Sequence, residues 1–414
     1  MTQIMPIGVG GSDATTELAK LSDMTTSVQP ITATEFQARI SKAQQLMKAN
    51  NIDATYLNAG TNLYYFTGTK WYASERMVGA IIPQQGDVVY ITPYFEVNTL
   101  NQYMTIKGKI NGWQEHESPY QLFIDTLKSM DIDSGTIAID ESTAFFIADG
   151  INQSAKESES NYQLIDAKAI TAGCRSVKSD HEIALLQQAK DMTIVVHKAV
   201  AKILHEGITT QEVTNFINQA HIKVGAPAGS YFCIVLFGED SSYPHGVKTP
   251  KALSLNDIVL IDTGCQVEGY NSDITRTYVF GQANQRQREM WLAEKNAQLS
   301  AFEAAKIGAP CGNVDIAARE YLASLHMGPD YQTPGCPHRT GHGIGLDIHE
   351  WPYLVRSDQT PLEVGMCFSN EPMLVIPNEF GVRLEDHFYM TETGAKWFTE
   401  PSYSIDDPFG LMPE

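Results

Sequence analysis

The sequence predicts an α/β domain followed by an α+β domain, and three observations carry that reading. Short strand candidates alternate with helical stretches over residues 31–165. A Ser179/Glu182 pair with capping-box spacing then opens a long amphipathic helix. Beyond it, apolar strand runs fold back on themselves as hairpins, separated by two more amphipathic stretches. The length of 414 residues suits two or three domains with an ample core.

Taken in order, residues 1–30 are rich in Gly, Ser and Thr and weakly periodic, so an irregular arm is expected. From Thr34 a helix is expected, because Phe36, Ile40, Ala43 and Met47 recur at three- and four-residue intervals. It stops at Asn50-Asn51. Strand candidates follow at 54–57, 78–83, 88–92 and 136–140, with 162–165 as the last strand of this domain. Residues 166–178 read as the crossing to the next domain. After Ser179, the residues Ile183, Leu186, Ala189, Thr193 and Val196 mark one face of the long helix. Further amphipathic stretches cover about 286–306 and 313–325. No repeat of about 20–50 residues points to a solenoid.

The chemistry concentrates between Val259 and Glu385. Asp262 ends the apolar run Ile258, Val259, Leu260, Ile261, which reads as a buried strand. A Gly-containing turn follows, and Ser272 to Phe280 reads as the returning strand, with Asp273 across the hairpin from Asp262. Glu371 and Glu385 flank a second hairpin whose turn is Pro377-Asn378-Glu379. His342 is expected to reach in from a glycine-rich loop. Any one of these acids could be an ordinary surface residue of an acidic protein. Five such groups in apolar local sequence are better explained together. Four carboxylates gathered without a cation would repel one another and could not all stay ionised. Two divalent cations would cancel their charge, which points to a two-metal site with a bridging water or hydroxide. Oxygen ligands plus one imidazole suit Mn2+, Co2+ or Zn2+.

This constellation resembles the metallopeptidase family with the pita-bread fold, which includes methionine aminopeptidase, aminopeptidase P, prolidase and the metal-free relative creatinase. The resemblance runs from about residue 30 to the end and is strongest over 230–390, where the five positions match in order and type. It implies an α/β N-terminal domain (31–165) followed by an α+β pita-bread (creatinase/aminopeptidase) catalytic domain (175–414). The phrase Arg175-Ser176-Val177-Lys178 resembles the lead into that domain in prolidase-like proteins. By the same resemblance Asp262 binds one metal, Asp273 and Glu385 bridge both, and His342 and Glu371 bind the second, with Glu371 also taking the proton of the attacking water. Manganese is the ion that the family favours.

His245, His338, His349 and Arg383 match the aminopeptidase P and prolidase group, so the resemblance implies hydrolysis of the bond between an N-terminal residue and proline. That amide has no N–H and adopts cis or trans, so peptidases that grip an extended backbone cannot hold it normally. In the implied roles His245 stabilises the oxyanion and His349 holds substrate near the scissile bond. His338 and Arg383 shape the proline side, Arg383 pairing either with a substrate carboxylate or with the ligand acids. Two departures bear on the pocket. Met373 stands where proline-specific members usually have glycine, and Arg339-Thr340 stand where prolidases commonly show Gly-Leu. Other readings within the fold are a creatinase-like, organophosphate-hydrolysing or sulfonium-cleaving enzyme, and outside catalysis a binding protein. Dipeptidase and aminopeptidase are not separated by sequence. A homodimer is implied by the resemblance, and the aromatic stretch from Tyr64 to Tyr72 is either part of that contact or ordinary core plus a surface loop.

The remaining composition narrows partners and compartment. Hydrophobic content of 43% and charged content of 19% describe an ordinary globular chain. A formal charge of −20 argues against nucleic-acid or anionic-membrane partners, which need a basic face. The six cysteines show no CxxC spacing, which disfavours structural zinc and fits reduced thiols. With no leader-like N-terminus and no apolar run of about 18 residues, a cytoplasmic protein is expected.

Overall fold

The computed structural model describes residues 5–412, which form two compact units. One joins the segment up to Gln29 to everything from Ser176 onward, and the other is Pro30–Arg175. The arm is more ordered than its composition suggests. It carries a short helix, α1 (Ala14–Ala19), capped by Asp13, whose Oδ1 accepts from the Thr16 N–H at 3.0 Å. The N–H groups of Ile7 and Gly10 donate to the carbonyls of Asp406 and Ala201, each at 2.8 Å. Those partners lie about 400 and 190 residues away in sequence, respectively, which is why local reading shows only an irregular arm.

The Pro30–Arg175 unit begins with α2 (Ala33–Ala49), whose N-cap Thr32 and Glu35 form a capping box. Then follow β1 (Ala54–Asn58), α3 (Thr61–Thr67), β2 (Gly79–Pro83), β3 (Val89–Pro93), α4 (Val97–Tyr103) and β4 (Lys109–Trp113). The rest are α5 (Pro119–Ser129), β5 (Ser134–Ile139), α6 (Phe145–Glu157), β6 (Asn161–Asp166) and α7 (Lys168–Arg175). The strands make one mixed sheet in the order β4-β3-β2-β1-β5-β6. β1, β2 and β3 come from sequences buried at every position, as a sheet covered on both faces requires. Most of the stretch 166–178, within which the two units divide after Arg175, is helix α7. Asp166 starts it by accepting from the Lys168 N–H at 2.9 Å, and Ile170, Thr171 and Cys174 bury one face. In the aromatic stretch Tyr65 and Phe66 are core, while Tyr72 is almost fully exposed.

The other unit opens with α8 (Asp180–Ile203), where Ser179 and Glu182 form the capping box that their spacing predicts. It continues through α9 (Thr210–Lys223), β7 (Phe232–Phe237), β8 (Asp257–Gly264), β9 (Gln266–Val267), β10 (Tyr270–Asn271) and β11 (Ile274–Phe280). Helices α10 (Gln285–Ala304) and α11 (Gly312–Ser324) follow. Next come β12 (Gly341–Gly343), β13 (Glu350–Leu354), β14 (Cys367–Asn370), β15 (Met373–Ile376), β16 (Phe380–Arg383), β17 (Asp386–Thr391) and β18 (Gly394–Trp397). A three-stranded sheet, β11-β8-β7, and a five-stranded one, β13-β12-β14-β17-β18, carry the chemistry-bearing residues. One large apolar cluster, including Trp291 of α10, Leu322 of α11 and Phe368 and Phe388 of the larger sheet, backs both helices onto these strands. Among the described residues no helix is long and apolar enough to cross a membrane.

Candidate metal centre

Strand pairing sets the positions of the acids. In the β8/β11 hairpin Asp262 stands opposite Thr275, not opposite Asp273 as expected. Asp273 lies two residues before Thr275, and the two-residue period of extended chain brings it to the same face. The turn allows this because Gly264 packs against the Ser272 carbonyl, where a Cβ would sit 1.8 Å from the oxygen. In the second hairpin β15 pairs with β16 as Met373↔Arg383, and β14 pairs with β17 as Asn370↔Asp386. The register carries through the break, so Glu371 and Glu385 face each other across it. Asn378, at φ +63, makes the turn between β15 and β16. His342 is on strand β12, not on a loop, and is held on both sides by β13 and β14.

Asp262, Asp273, Glu385 and His342 are buried, and Glu371 is nearly so. His342 Nε2 lies 3.0 Å from Glu371 Oε1 and 3.7 Å from Asp273 Oδ2. Its Nδ1 is 3.0 Å from the Gly343 carbonyl. An Nδ1–H donated there leaves the lone pair of a neutral imidazole on Nε2, aimed among carboxylates. Asp262 Oδ1, Asp273 Oδ1, Glu385 Oε1 and His342 Nε2 are all buried without a hydrogen-bond partner. Donor atoms of His342, Glu371 and Glu385 lie within 4.8 Å of one another, as do those of Asp273, Glu385 and His387.

The electrostatics are those of an uncompensated acid cluster. Burial pushes the Asp273 carboxyl well up, and the charges of Glu385 and Asp262 push it further. Burial does the same to Glu385, with Glu371 and Asp262 adding to it. Asp262 is raised by burial against the opposing pull of Arg383. Burial also acts upward on Glu371, but His342, His338 and Arg383 outweigh it and hold that carboxyl below its ordinary range. Lone pairs converging on one small space, with carboxylates short of positive charge, fit a hard divalent cation better than any hydrogen-bond network present.

The other residues singled out by sequence are placed as follows. His349 is exposed and its ring lies 4.1 Å from that of His342, tilted by 59°. His338 is half-buried, and its Nδ1 is 2.7 Å from the Arg339 carbonyl. His245 is exposed on the loop after β7; its neighbour Pro244 offers a carbonyl 3.4 Å from Arg383 Nη1. Arg383 is buried and committed to the acids, with Nη2 2.5 Å from Asp262 Oδ2 and Nε 3.1 Å from Thr275 Oγ1. The side chain of Met373 packs with Leu236, Leu260 and Val375, and its sulfur is 3.6 Å from Arg383 Nη1.

Three supporting residues escape sequence reading. Thr275 donates to Glu385 Oε2 at 2.7 Å while accepting from Arg383. Ser369 accepts from the His342 N–H at 3.0 Å and is 3.3 Å from Glu371 Oε1. His387 brings Nε2 to 3.8 Å from Glu385 Oε1, and burial keeps it neutral. Each stands two residues from an acid on the same strand path, so the period-two rule applied outward from the acids would have found them.

Comparison with known proteins agrees with this geometry. Residues 184–392 match the profile described as metallopeptidase family M24, and residues 39–177 match the creatinase/prolidase N-terminal domain. A putative dipeptidase of Bacillus subtilis is 31% identical over 362 residues, 87% of this chain and 97% of that protein. Among solved structures, a dipeptidase from Mycobacterium ulcerans superposes with a TM-score of 0.81 at 28% identity, covering 90% of this chain and 97% of that one. A prolidase from Thermococcus sibiricus gives 0.79 at 26%, covering 88% and 97%.

Proposed function

The chain belongs to metallopeptidase family M24, and on that premise we propose that it hydrolyses the bond between an N-terminal residue and proline in small peptides. The observation that carries the peptidase reading is the buried convergence of Asp262, Asp273, Glu371, Glu385 and His342, with donor atoms left unpartnered. The proline preference rests on the His245, His338, His349 and Arg383 set and on the likeness to a prolidase.

In this reading Asp262, Asp273, His342, Glu371 and Glu385 hold two divalent cations, manganese being the first to test. Such ions, when bound, polarise the scissile carbonyl and lower the pKa of a water to near neutrality. Glu371 receives the proton of the attacking water and passes it to the departing proline nitrogen. Arg383 fixes Asp262, and Thr275 fixes Glu385, so two ligand carboxylates keep one orientation. His349, whose ring is tilted against that of His342, meets the substrate beside the scissile bond. His245, exposed on the loop after β7, donates to the developing oxyanion, a role worth about 3 kcal/mol.

The test is hydrolysis of Ala-Pro, Ala-Pro-Ala and Ala-Ala by the manganese-loaded protein, with and without chelator. Cleavage of a proline substrate, lost on chelation and recovered with Mn2+, is expected. Cleavage of Ala-Ala alone would sink the proline preference but keep a metallopeptidase. No metal-dependent cleavage of any of the three would sink the reading itself.

A further inference from the structure

We propose that His387 is itself a metal-binding residue, a second imidazole that joins Asp273 and Glu385 in holding Zn2+ or Co2+; this rests on the metallopeptidase reading above. Strand β17 sets the direction of the ring. Asp386 points to Arg276, its Oδ1 lying 2.7 Å from Nη2. Alternation along extended chain therefore sends its neighbours Glu385 and His387 together to the other face. Across the sheet Ser369 stands opposite His387. Ser369 accepts from the His342 N–H and lies 3.3 Å from Glu371 Oε1, so the acid cluster extends to this position.

Donor atoms of Asp273, Glu385 and His387 lie within 4.8 Å of one another, and all three residues are buried. A separate grouping joins His342 and Glu371 to Glu385. Glu385 gives Oε2 to the Thr275 hydroxyl at 2.7 Å. Its Oε1 is buried without a partner, 3.8 Å from His387 Nε2. Asp273 Oδ1 is likewise unpartnered. Among the described residues neither ring nitrogen of His387 has a hydrogen-bond partner, although the side chain is fully buried. His342, by contrast, has its Nδ1 3.0 Å from the Gly343 carbonyl.

The distance favours a shared ion. At 3.8 Å the nitrogen and the carboxylate oxygen are too far apart for a hydrogen bond. Two donors that each bind one ion at about 2.0–2.2 Å can lie up to about 4.3 Å apart. Burial keeps the ring neutral, so one nitrogen carries a lone pair and the contact is no imidazolium–carboxylate ion pair. Lys190 and Arg276, whose charges are felt at His387, are held by the Asn271 carbonyl and by Asp386. Imidazole nitrogen suits Zn2+ or Co2+ better than Mn2+, which carboxylates alone serve well.

The experiment loads metal-free protein, labelled with 15N-histidine, with two equivalents of Co2+ and counts strongly shifted imidazole signals by NMR. H387Q and H349Q are counted in the same way, and affinities for Co2+, Zn2+ and Mn2+ are measured against a chelator. Two metal-bound imidazoles are expected in the unmodified chain and in H349Q, and one in H387Q. H387Q should weaken one equivalent of Zn2+ or Co2+ about 10- to 100-fold, and Mn2+ by less. Should H387Q fail to fold, the counts in the unmodified chain and in H349Q still decide. A ring that only packs, or that reaches Glu385 through water, leaves one bound imidazole. That count in the unmodified chain, loss of the second imidazole in H349Q, or its retention in H387Q overturns the proposal and leaves the peptidase reading standing. No binding of any of the three ions overturns both, so the two failures are distinguishable.

Discussion

Glu371 and Thr275 show how differently two residues a few ångströms from the same acids contribute. In the proposed reading Glu371 takes the proton of the attacking water, and in the metal-free site its neighbours hold it ionised near neutral pH. E371Q is expected to lower kcat by about 10²–10⁴-fold. Metal content, read by elemental analysis, falls far less, because Asp262, Asp273, His342 and Glu385 remain. Thr275 touches no substrate in this reading; its hydroxyl spans Glu385 and Arg383. Thr275→Val keeps the shape and removes both bonds, and should weaken metal affinity about 10- to 100-fold in a chelator-competition titration. An unchanged affinity would show that Glu385 needs no such support.

Helix α8 carries the clearest consequence at the scale of an element. Its capping box and apolar face were legible from Ser179, Glu182 and the spacing of Leu186, Ala189 and Val196, but Lys190 breaks the pattern. Lys190 is fully buried, with Nζ 3.2 Å from the Asn271 carbonyl and 4.7 Å from the centre of the Phe398 ring. Burial drives its pKa from the ordinary 10.5 to about 7. The titratable groups around it include Asp273, Lys178, Asp191, Cys265, Cys367 and His387. His387 is pushed down out of the window, while the raised thiols act in the opposite sense above about pH 9, so the Lys190 contribution is read as the difference between the unmodified chain and a Lys190 variant. Between pH about 7 and 10.5 the unfolded chain holds the lysine proton and the folded chain does not. The Lys190 contribution to stability therefore rises with pH across that window. Denaturation midpoints of Lys190→Met should therefore rise less, or fall more, than those of the unmodified chain between pH 7, 8.5 and 10. A slope unchanged in K190M would place the effect elsewhere.

For the whole molecule, the acid cluster links folding to metal. Asp273 and Glu385 have folded pKa values raised by burial and by their neighbours. Their contribution to the metal-free protein is fully present below the ordinary carboxylate range and is lost as pH rises through the raised values. Chelated protein should thus lose thermal stability from pH 5 to 8. Cations compete with protons for the same oxygens, so the rise in Tm on adding Mn2+ should be larger at pH 8 than at pH 5. Equal shifts at both values would mean that the ion binds away from these acids.

The sequence by itself determined the local grammar and the inventory of the site. Capping pairs at Ser179 and Glu182, the hydrophobic period of α2, the apolar run into Asp262 and the Pro377-Asn378-Glu379 turn are local signals, and local signals set element type. Asp262, Asp273, His342, Glu371 and Glu385 stood out because charged residues interrupt apolar strands. Tertiary structure alone decided what those residues face. The register put Thr275, not Asp273, opposite Asp262, and the fold gave the arm its distant backbone partners. It also spent Arg383 on Asp262. Such choices depend on contacts between residues far apart in the chain, where periodicity carries no information and only packing fixes which charge meets which.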